Sequence, residues 1–361
     1  MKRSFSAIIC AQWTTVPPVA TADLTGQTVI VVGANVGLGF ESAKHFAKMN
    51  PARLILACRS EEKGKAAVEK IREETGYTPE LELLDLAKFS SVIAFVDRFL
   101  KNKDARLDIL MANAAVAIYE HKETSDGWEE SYVHEYPEIE LRMKPELSSF
   151  FFFAQRIQVN NLSTSLLCLL LAPRMVETGE KLKTKPRLVV VGSEVHYWST
   201  FKNEVFESKS AFRTISSKEY GKMDARYYDT KLLNLFFTRS LADLLADTPV
   251  IADCVNPGYC YSALRRKFQG IRQAADWVME KALARTSEEG GRQLTYAAVG
   301  SPEDPDRLRG QYISLHCVEE PSDYVLGSEG KKRQDVLWND LIAVLSEVDP
   351  RVREIVENFS H

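Results

Sequence analysis

The sequence predicts an α/β fold built on a doubly wound parallel sheet, and three observations predict it. Short apolar runs rich in β-branched residues alternate with longer segments of helical periodicity along much of the chain, which is typical of a parallel sheet covered by helices. A glycine-rich segment follows the first apolar run and opens a helical pattern. The chain has 361 residues, of which 45% are hydrophobic and 27% charged, and this suits one globular domain with extensions.

The first strand and the turn after it predict a dinucleotide-binding site. Residues 28–32 form an apolar, β-branched run, and residues 40–49 carry Phe40, Ala43 and Phe46 at helical spacing. Between a strand and a helix, glycines permit a tight turn and a close approach of the backbone to a pyrophosphate at the helix N-terminus. The residues expected to contact the cofactor in this turn are Gly33, Asn35, Val36, Gly37, Leu38 and Gly39.

A tyrosine and a lysine four residues apart predict proton-transfer chemistry. Tyr227 and Lys231 would share one face of a helix. A nearby cation favours the ionised phenol and therefore lowers its pKa. A tyrosine tuned in this way can give a proton to a carbonyl oxygen or take one from an alcohol.

The glycine segment and the Tyr/Lys pair resemble those of the short-chain dehydrogenase/reductase family. The family's glycine motif is Thr-Gly-x-x-x-Gly-x-Gly, and residues 32–39 match it except that Val32 replaces the threonine. Val32 cannot supply the hydroxyl that steadies the turn, and Ala115 stands where the family usually has glycine. The resemblance extends, in the family's order, over roughly residues 25–300 and implies a Rossmann-like fold.

Four further segments carry the resemblance. Asn113 follows an apolar run in Ala-Asn-Ala-Ala, where the family has Asn-Asn-Ala-Gly, and Gln-Val-Asn-Asn at 158–161 resembles the segment of the catalytic asparagine. Ser193 follows the strand at 187–191, where the family has its catalytic serine. Pro257, with Ser262 beyond it, resembles the turn that holds the nicotinamide carboxamide. The resemblance thus implies the catalytic residues Asn160, Ser193, Tyr227 and Lys231 and the further cofactor contacts Asn113, Pro257 and Ser262, with Tyr227 and Lys231 also touching the cofactor.

The end of the second predicted strand indicates which nicotinamide cofactor is used. An acid near this position binds the ribose 2′-hydroxyl of NAD, whereas an arginine accommodates the 2′-phosphate of NADP. The strand at 53–57 is followed by Cys58-Arg59-Ser60, with no acid among them. Arg59 therefore predicts NADP(H), with Lys63 one helical turn further on. Asp85 matches the family's adenine-contacting aspartate, although a helix cap would explain it equally well.

Composition narrows the class of protein. A net charge of -4 offers no basic surface for nucleic acid. Six cysteines without a Cys-x-x-Cys pair read as reduced residues of a cytoplasmic protein, and no metal site is expected. The apolar run at 166–171 is too short to span a bilayer. The partners expected are a small-molecule substrate and, as one possibility, a second copy of the chain.

The predicted organisation is one domain with two extensions and one insertion. Residues 1–24 are expected to form a surface arm, because Pro17-Pro18 disfavours helix. Residues 25–325 would form the NADP-binding domain. Residues 326–361 would form a helical extension, in which Val336, Leu337, Leu341, Ile342 and Leu345 share one side of an amphipathic helix.

The insertion lies at about 132–156, where the family passes directly to the segment with the catalytic asparagine. One interpretation is a substrate lid or membrane-touching loop, because four adjacent phenylalanines at 150–153 are a large apolar patch. The other is a retained intron. Ser131-Tyr132-Val133 can be encoded with GTAYGT, a common fungal splice donor, and residues 150–156 can be encoded as a pyrimidine tract ending in CAG and AG.

The predicted activity is the interconversion of a carbonyl and a secondary alcohol on an apolar small molecule. The stretches 196–224 and 261–273 are expected to determine the substrate, and they contain the aromatic residues Tyr197, Trp198, Phe201, Tyr220 and Phe268. The pattern resembles reductases of secondary metabolism and of retinoid-like chemistry. Two alternatives remain: an NADP(H) sensor without turnover, and an epimerase or dehydratase of the same fold.

Overall fold

A computed structural model of the chain describes residues 10–114, 122–130, 157–217, 220, 226–261 and 280–360. The predictions for Ser262 and for the insertion at 132–156 lie outside the described residues. The strands are β1 Thr28–Val32, β2 Arg53–Cys58, β3 Glu80–Leu83, β4 Ile109–Ala112, β5 Lys122–Glu123, β6 Glu129–Glu130, β7 Arg187–Val191, β8 Ile251–Asn256, β9 Tyr312–Ser314 and β10 Cys317–Glu319. The helices are α1 Gly37–Lys48, α2 Glu61–Thr75, α3 Phe89–Leu100, α4 Ser163–Leu182, α5 Asn203–Glu207, α6 Ala211–Ser216, α7 Arg226–Leu244, α8 Ser287–Val299, α9 Gly327–Val348 and α10 Arg351–Phe359.

Eight strands form the central sheet in the order β10-β9-β8-β7-β4-β1-β2-β3. All neighbours pair in parallel except β10, which runs antiparallel to β9. The chain builds outward from β1 to β3, then crosses back to place β4 on the other side of β1. This reversal between β1 and β4 is the point where doubly wound sheets bind ligands. The predicted Rossmann-like fold is confirmed.

Both faces of the sheet are covered, which explains why its central strands are apolar without alternation. Along β1, Ile30 and Val32 pack into the core on one face, while Val29 and Val31 pack into the core on the other. Every residue of β1, β7 and β8 is buried. The edge strand β3 is half-exposed and carries glutamates instead.

Helix α4 contains the apolar run at 166–171 and lies in the core. Together with the π-helical turn Gln158–Leu162 that precedes it, it is the one helix among the described residues that is long and apolar enough to cross a membrane. However, 89% of its most apolar window is buried inside the protein. The apolar run at 166–171 therefore belongs to the core of the protein.

The two ends of the chain depart from the sequence expectations in detail. Helix α9 buries Leu337, Leu341 and Leu345, but Val336 is 40% exposed, so its assignment to the apolar side was wrong. The antiparallel strand β10 was not predicted. Within residues 10–24, the described part of the N-terminal arm, three side chains are buried, namely Gln12, Val16 and Leu24. All six cysteines are free, and four of them are buried.

Candidate functional site

Four neighbouring strands end at one edge of the sheet, and each is followed by a segment with a predicted site residue. Gly33 follows β1, Asn113 follows β4, Ser193 comes two residues after the end of β7, and Pro257 follows β8. The sheet order β8-β7-β4-β1 makes these strands direct neighbours. Because parallel strands present their carboxyl ends on the same edge, the four segments form one candidate site.

The glycine turn after β1 is held by backbone and by one amide side chain. Gly33 and Gly37 adopt φ values of 75° and 65°, which residues with a Cβ rarely adopt. The Asn113 side chain donates from Nδ2 to the carbonyl oxygen of Val32 at 3.1 Å and to that of Gly33 at 3.4 Å. Asn113 therefore links the end of β4 to the glycine turn, at the position where Val32 replaces the threonine of the family's motif.

Gly39 and Gly37 differ in the space around their Cα atoms. A Cβ on Gly39 would lie 2.6 Å from the Gly33 carbonyl oxygen and would also strike the Asn113 amide. A Cβ on Gly37 would meet nothing within 4 Å. Helix α1 starts here with Val36 as its N-cap, and no side chain caps it. Its first N–H groups are thus available to an anion beside an open stretch of backbone.

The charged residues proposed near the cofactor lie beside β2 and β3. Arg59 is exposed, and within the part of the chain that the structure describes it makes no hydrogen bond or ion pair. Ser60 caps helix α2 by accepting from the Lys63 backbone N–H at 3.4 Å. Asp85 is half-buried, and its Oδ1 accepts from the Ala87 N–H at 3.1 Å, which is a local turn.

Tyr227 and Lys231 lie in the first two turns of α7. Tyr227 is half-buried, whereas Lys231 is only 3% exposed. The Lys231 Nζ lies 5.8 Å from the centre of the Tyr227 ring and donates at 2.8 Å to the carbonyl oxygen of Val191, the last residue of β7. Burial lowers the pKa of Lys231 to about 8. The buried ammonium therefore lies over the Tyr227 ring and bonds to a carbonyl oxygen two residues before Ser193.

Two buried asparagines join α7 to the segment that carries Asn160. Asn234, one turn beyond Lys231, donates at 3.5 Å to the same Val191 carbonyl oxygen, and its Oδ1 accepts from Asn161 Nδ2 at 2.9 Å. Asn160 lies next to Asn161 in the π-helical turn before α4 and is 1% exposed. One hydrogen-bonded chain thus connects the elements of Asn160, Lys231 and Ser193.

The π-helical turn is also held from the other side of the insertion. Gln158 is fully buried; its Nε2 donates to Asp126 Oδ2 at 2.7 Å, and its Oε1 accepts from the Thr124 hydroxyl. The same Asp126 oxygen accepts from the Phe89 N–H at 2.8 Å at the start of α3. The segments before and after the insertion are therefore bonded directly to each other.

Ser193 begins a turn whose backbone is fixed by neighbours. Its Oγ accepts from the Val195 N–H at 3.4 Å. Asn256 accepts on Oδ1 from Glu194 N–H and from Gly258 N–H, both at 3.1 Å, so one amide joins the Ser193 turn to the Pro257-Gly258 turn. A Cβ on Gly192 would lie 2.6 Å from Cys254 Sγ, so glycine leaves room for the Cys254 side chain.

His196 has a structural part in this turn. The ring is 1% exposed, its Nε2 accepts from the Ser322 N–H at 3.2 Å, and its Nδ1 lies 2.8 Å from the Ser193 carbonyl oxygen. Because Nε2 accepts, Nδ1 carries the proton and donates. Both nitrogens are used by backbone groups, so the imidazole holds the turn and is not placed as a base.

Several aromatic residues expected at the substrate surface belong to the core. Tyr197, Phe201 and Tyr220 are 2%, 5% and 5% exposed. The Tyr197 hydroxyl donates to the Glu320 carbonyl oxygen at 2.5 Å, and the Tyr220 hydroxyl accepts from the Lys202 N–H at 3.2 Å. Their assignment as substrate-facing residues was wrong. Trp198 is half-buried and packs edge-on against Tyr228, with ring centres 5.7 Å apart.

Sequence reasoning missed the residues that organise the site. Asn161, Asn234, Asn256 and Gln158 are buried amides that fix its segments relative to one another. The sequence signal for these residues is an amide side chain within an otherwise apolar segment. Such an amide is buried only when it has a hydrogen-bond partner. That signal identifies the residues without naming their partners.

Comparison with known proteins identifies the family. A model of the short chain dehydrogenase family matches residues 27–196. The short chain dehydrogenase/reductase dmxR8 of Cryptosporiopsis sp. is 33% identical over 342 residues, which cover 93% of this chain and 95% of the relative. The short-chain dehydrogenase anuD of Penicillium roqueforti is 31% identical over 346 residues, which cover 93% of this chain and 82% of the relative.

Solved structures share the fold at lower identity. A gluconate 5-dehydrogenase from Burkholderia cenocepacia, in complex with NADP and tartrate, matches with a TM-score of 0.54 and 19% identity over 81% of this chain and 94% of its own. An L-sorbose reductase from Gluconobacter frateurii, complexed with NADPH and L-sorbose, matches with a TM-score of 0.53 and 16% identity over 81% of this chain and 97% of its own. The chain belongs to the short-chain dehydrogenase/reductase family of oxidoreductases.

Proposed function

We propose that this protein is an NADP(H)-dependent oxidoreductase that interconverts a carbonyl and a secondary alcohol on an apolar small molecule. The observation that carries the proposal is the Tyr227–Lys231 pair, with the buried Lys231 ammonium 5.8 Å from the phenol ring centre and bonded to the end of β7. This pair stands at the edge of the sheet where the glycine turn lies. A sensor without turnover would have no use for a buried cation beside a phenol.

Tyr227 is the proposed general acid of the reduction and the general base of the oxidation. The Lys231 charge favours the phenolate that remains when the tyrosine has given its proton to the substrate oxygen. Burial strengthens this electrostatic effect because little water screens it. Lys231 is also the proposed contact to the nicotinamide ribose, and its bond to the Val191 carbonyl oxygen keeps the ammonium near that place.

Ser193 is proposed to position the substrate oxygen, and Asn160 is proposed to hold a water that relays protons to Lys231. Both residues lie in segments that other side chains fix: the Ser193 turn through Asn256, and the Asn160 turn through Gln158 and Asn161. Rigid placement of such groups accounts for a large share of the rate acceleration of an oriented reaction.

The residues present fit an NADP(H) cofactor. The open backbone at Gly37 and the uncapped N-terminus of α1 fit a pyrophosphate. The unpartnered guanidinium of Arg59 fits a 2′-phosphate, and Asp85, Asn113, Pro257 and Ser262 are proposed as further contacts. Two structures of this fold were solved with NADP or NADPH, which supports the proposal. When bound, the cofactor supplies or accepts the hydride.

The proposed setting is fungal secondary metabolism in the cytoplasm, acting on an apolar substrate. The similar relatives from Cryptosporiopsis and Penicillium support a fungal setting. Trp198, Tyr227 and Tyr228 form an edge-to-face aromatic series beside the site, with ring centres 5.7 and 6.4 Å apart. Aromatic walls of this kind favour apolar ligands.

The domain is proposed to span residues 25–325, with residues 326–361 as its helical extension. Residues 132–156 are proposed to be a translated intron that the working enzyme does not need. The bonds from Gln158 to Thr124 and Asp126 support this, because they hold the flanking segments together without any part of the insertion.

A panel of ketones and secondary alcohols assayed with NADP(H) and NAD(H) tests the proposed function. We expect turnover of apolar cyclic or aromatic carbonyl compounds, faster with NADPH than with NADH. Activity confined to charged sugars or hydroxy acids would contradict the apolar substrate, and a cofactor that remains bound through purification and cycles without net oxidation would favour an epimerase.

A further inference from the structure

The N-terminal arm contacts the candidate site directly. Gln12 is only 7% exposed although it lies near the start of the chain. Its Nε2 donates at 2.7 Å to Oε1 of Glu194, the residue after Ser193, and Glu194 itself is 5% exposed. A buried carboxylate requires donors, so Gln12 meets a need of the turn that begins at Ser193.

A second contact ties the arm to the turn after β8. Arg285 is 6% exposed, and its guanidinium donates to the carbonyl oxygens of Ala11 at 2.6 Å and Thr14 at 3.4 Å. A Cβ on Gly258 would lie 2.5 Å from Arg285 Nη1 and 3.4 Å from Gln12 Nε2. The arm, the Arg285 side chain and the Pro257-Gly258 turn thus meet at one place.

Arg285 also bonds to the backbone that follows the Pro257-Gly258 turn. Its backbone N–H donates to the Tyr259 carbonyl oxygen at 2.9 Å, and its carbonyl oxygen accepts from the Tyr261 N–H at 2.8 Å. The Trp13 indole donates to the Ala282 carbonyl oxygen at 3.2 Å, three residues before Arg285. The arm therefore bonds to Ala282 and Arg285, and Arg285 in turn bonds to Tyr259 and Tyr261.

Two buried charged side chains, Arg285 and Glu194, are both contacted by the N-terminal arm. Burial lowers the pKa of the Arg285 guanidinium, and the nearby carboxylate of Glu194 acts in the opposite direction. The Arg285 guanidinium and the Glu194 carboxyl group are both buried. Removal of the Gln12 amide takes away the hydrogen bond that Glu194 Oε1 accepts at 2.7 Å, so we expect the Ser193 turn to shift.

We propose that Gln12 is a positioning residue of the active site: it holds the turn of Ser193 in its working arrangement, while the backbone on either side of it, at Ala11 and Thr14, holds the Arg285 side chain. This inference rests on the proposed function for its kinetic consequences. It extends that function to a part of the chain that lies outside the dinucleotide-binding domain.

Variants at Gln12, with a control in the same arm, test the inference in the full-length enzyme. Gln12→Ala should lower kcat/KM for the carbonyl substrate about tenfold, because catalysis is sensitive to displacements below 1 Å, with the Kd of NADPH nearly unchanged. Thr15 is exposed and makes no hydrogen bond within the described residues, so Thr15→Ala should match the wild type. The exchanged pair Gln12→Glu with Glu194→Gln keeps one amide and one carboxylate together and should recover most of the loss.

Hydrogen exchange supplies a readout that does not depend on turnover. In Gln12→Ala the amides of His196, Tyr261 and Arg285 should exchange faster, while those of β1 and β4 stay protected. Equal exchange and equal kcat/KM in Gln12→Ala and Thr15→Ala would overturn the inference, as would faster exchange throughout the sheet with a lower Tm. If the wild type reduced no carbonyl compound, the proposed function would fail, and the exchange pattern alone would decide the role of the arm.

Discussion

The half of the sheet that carries the glycine turn and the half that carries the Tyr/Lys pair are organised in different ways. In the cofactor half, residues 28–114, the turn is shaped by glycine backbone and by one amide that reaches across two adjacent strands. In the catalytic half, hydrogen bonds join residues far apart in sequence: the Asn161 amide donates to the Asn234 side chain, and Lys231 donates to the Val191 carbonyl oxygen. Damage to the first half should therefore appear in cofactor binding, and damage to the second in turnover.

The largest expected effect belongs to the catalytic half. Tyr227→Phe removes the transferable proton and should lower kcat by about 10³-fold or more, with the Kd of NADPH within about twofold of wild type. Stopped-flow turnover and fluorescence titration of NADPH measure the two quantities. A variant that loses cofactor affinity in proportion to kcat would break the distinction between the halves.

The matching change in the cofactor half is Gly39→Ala. Its Cβ would meet the Gly33 carbonyl oxygen at 2.6 Å, so the turn must open, and we expect the Kd of NADPH to rise by about 100-fold. Lys48→Ala, at the far end of the same helix, is the control and should bind as the wild type does. Unchanged affinity in Gly39→Ala would show that the turn does not cradle the cofactor.

Arg59→Asp tests which cofactor this half selects. The change replaces a phosphate-binding cation with an acceptor for a ribose hydroxyl, so the preference for NADPH over NADH should fall by about tenfold or more. The ratio of kcat/KM for the two cofactors measures it, with Arg72→Asp on the exposed face of α2 as the control. A wild type that already prefers NADH would refute the charge argument at the end of β2.

The buried Lys231 should make the free energy of unfolding depend on pH. Its pKa is lowered from 10.5 to about 8 by burial, so between these two pH values the unfolded chain binds a proton that the folded protein has released. The free energy of unfolding contributed by this group therefore rises with pH across that window, by about 3 kcal/mol at most. Urea unfolding at pH 7 to 10 should show this rise in wild type relative to Lys231→Met; parallel curves would mean that Lys231 is solvated.

The smallest expected effect comes from removing the insertion. Deletion of residues 132–156 should leave kcat within about threefold of wild type or raise it, because Gln158 is already held by Thr124 and Asp126. Solubility should improve with the loss of four adjacent phenylalanines. The transcript should contain a spliced form that lacks this segment. An unspliced mature message, with a folded deletion variant that is inactive, would favour a substrate lid.

The fold was predictable because its signals are local. Apolar β-branched runs, the glycine turn and helical periodicity each lie within a few consecutive residues. The same holds for Tyr227 and Lys231, since four residues on a helix suffice to place them together. Strand β10 was missed because three residues, half-exposed and antiparallel at an edge, carry little hydrophobic pattern.

The supporting residues were not predictable because their meaning depends on distant partners. Asn234 reads as an ordinary helical residue until Asn161 and Val191 are placed beside it. Tyr197 and Tyr220 read as substrate-facing aromatics until their hydroxyls are seen to bond to backbone. Aromatic residues serve cores and binding sites equally, so composition alone could not distinguish the two. Gln12 was hidden for the same reason, in an arm whose prolines indicated only the absence of helix.

Isotope transfer tests the central claim most directly. The enzyme is incubated with a ketone from its active panel and with NADPH that carries deuterium at both hydrogen positions of C4 of the nicotinamide, in wild type and in Tyr227→Phe. We expect deuterium on the carbinol carbon of one stereoisomer of the alcohol in the wild type, and almost no product in the variant. A product without deuterium, or equal rates of deuterated product from both proteins, would contradict an oxidoreductase in which Tyr227 transfers the proton.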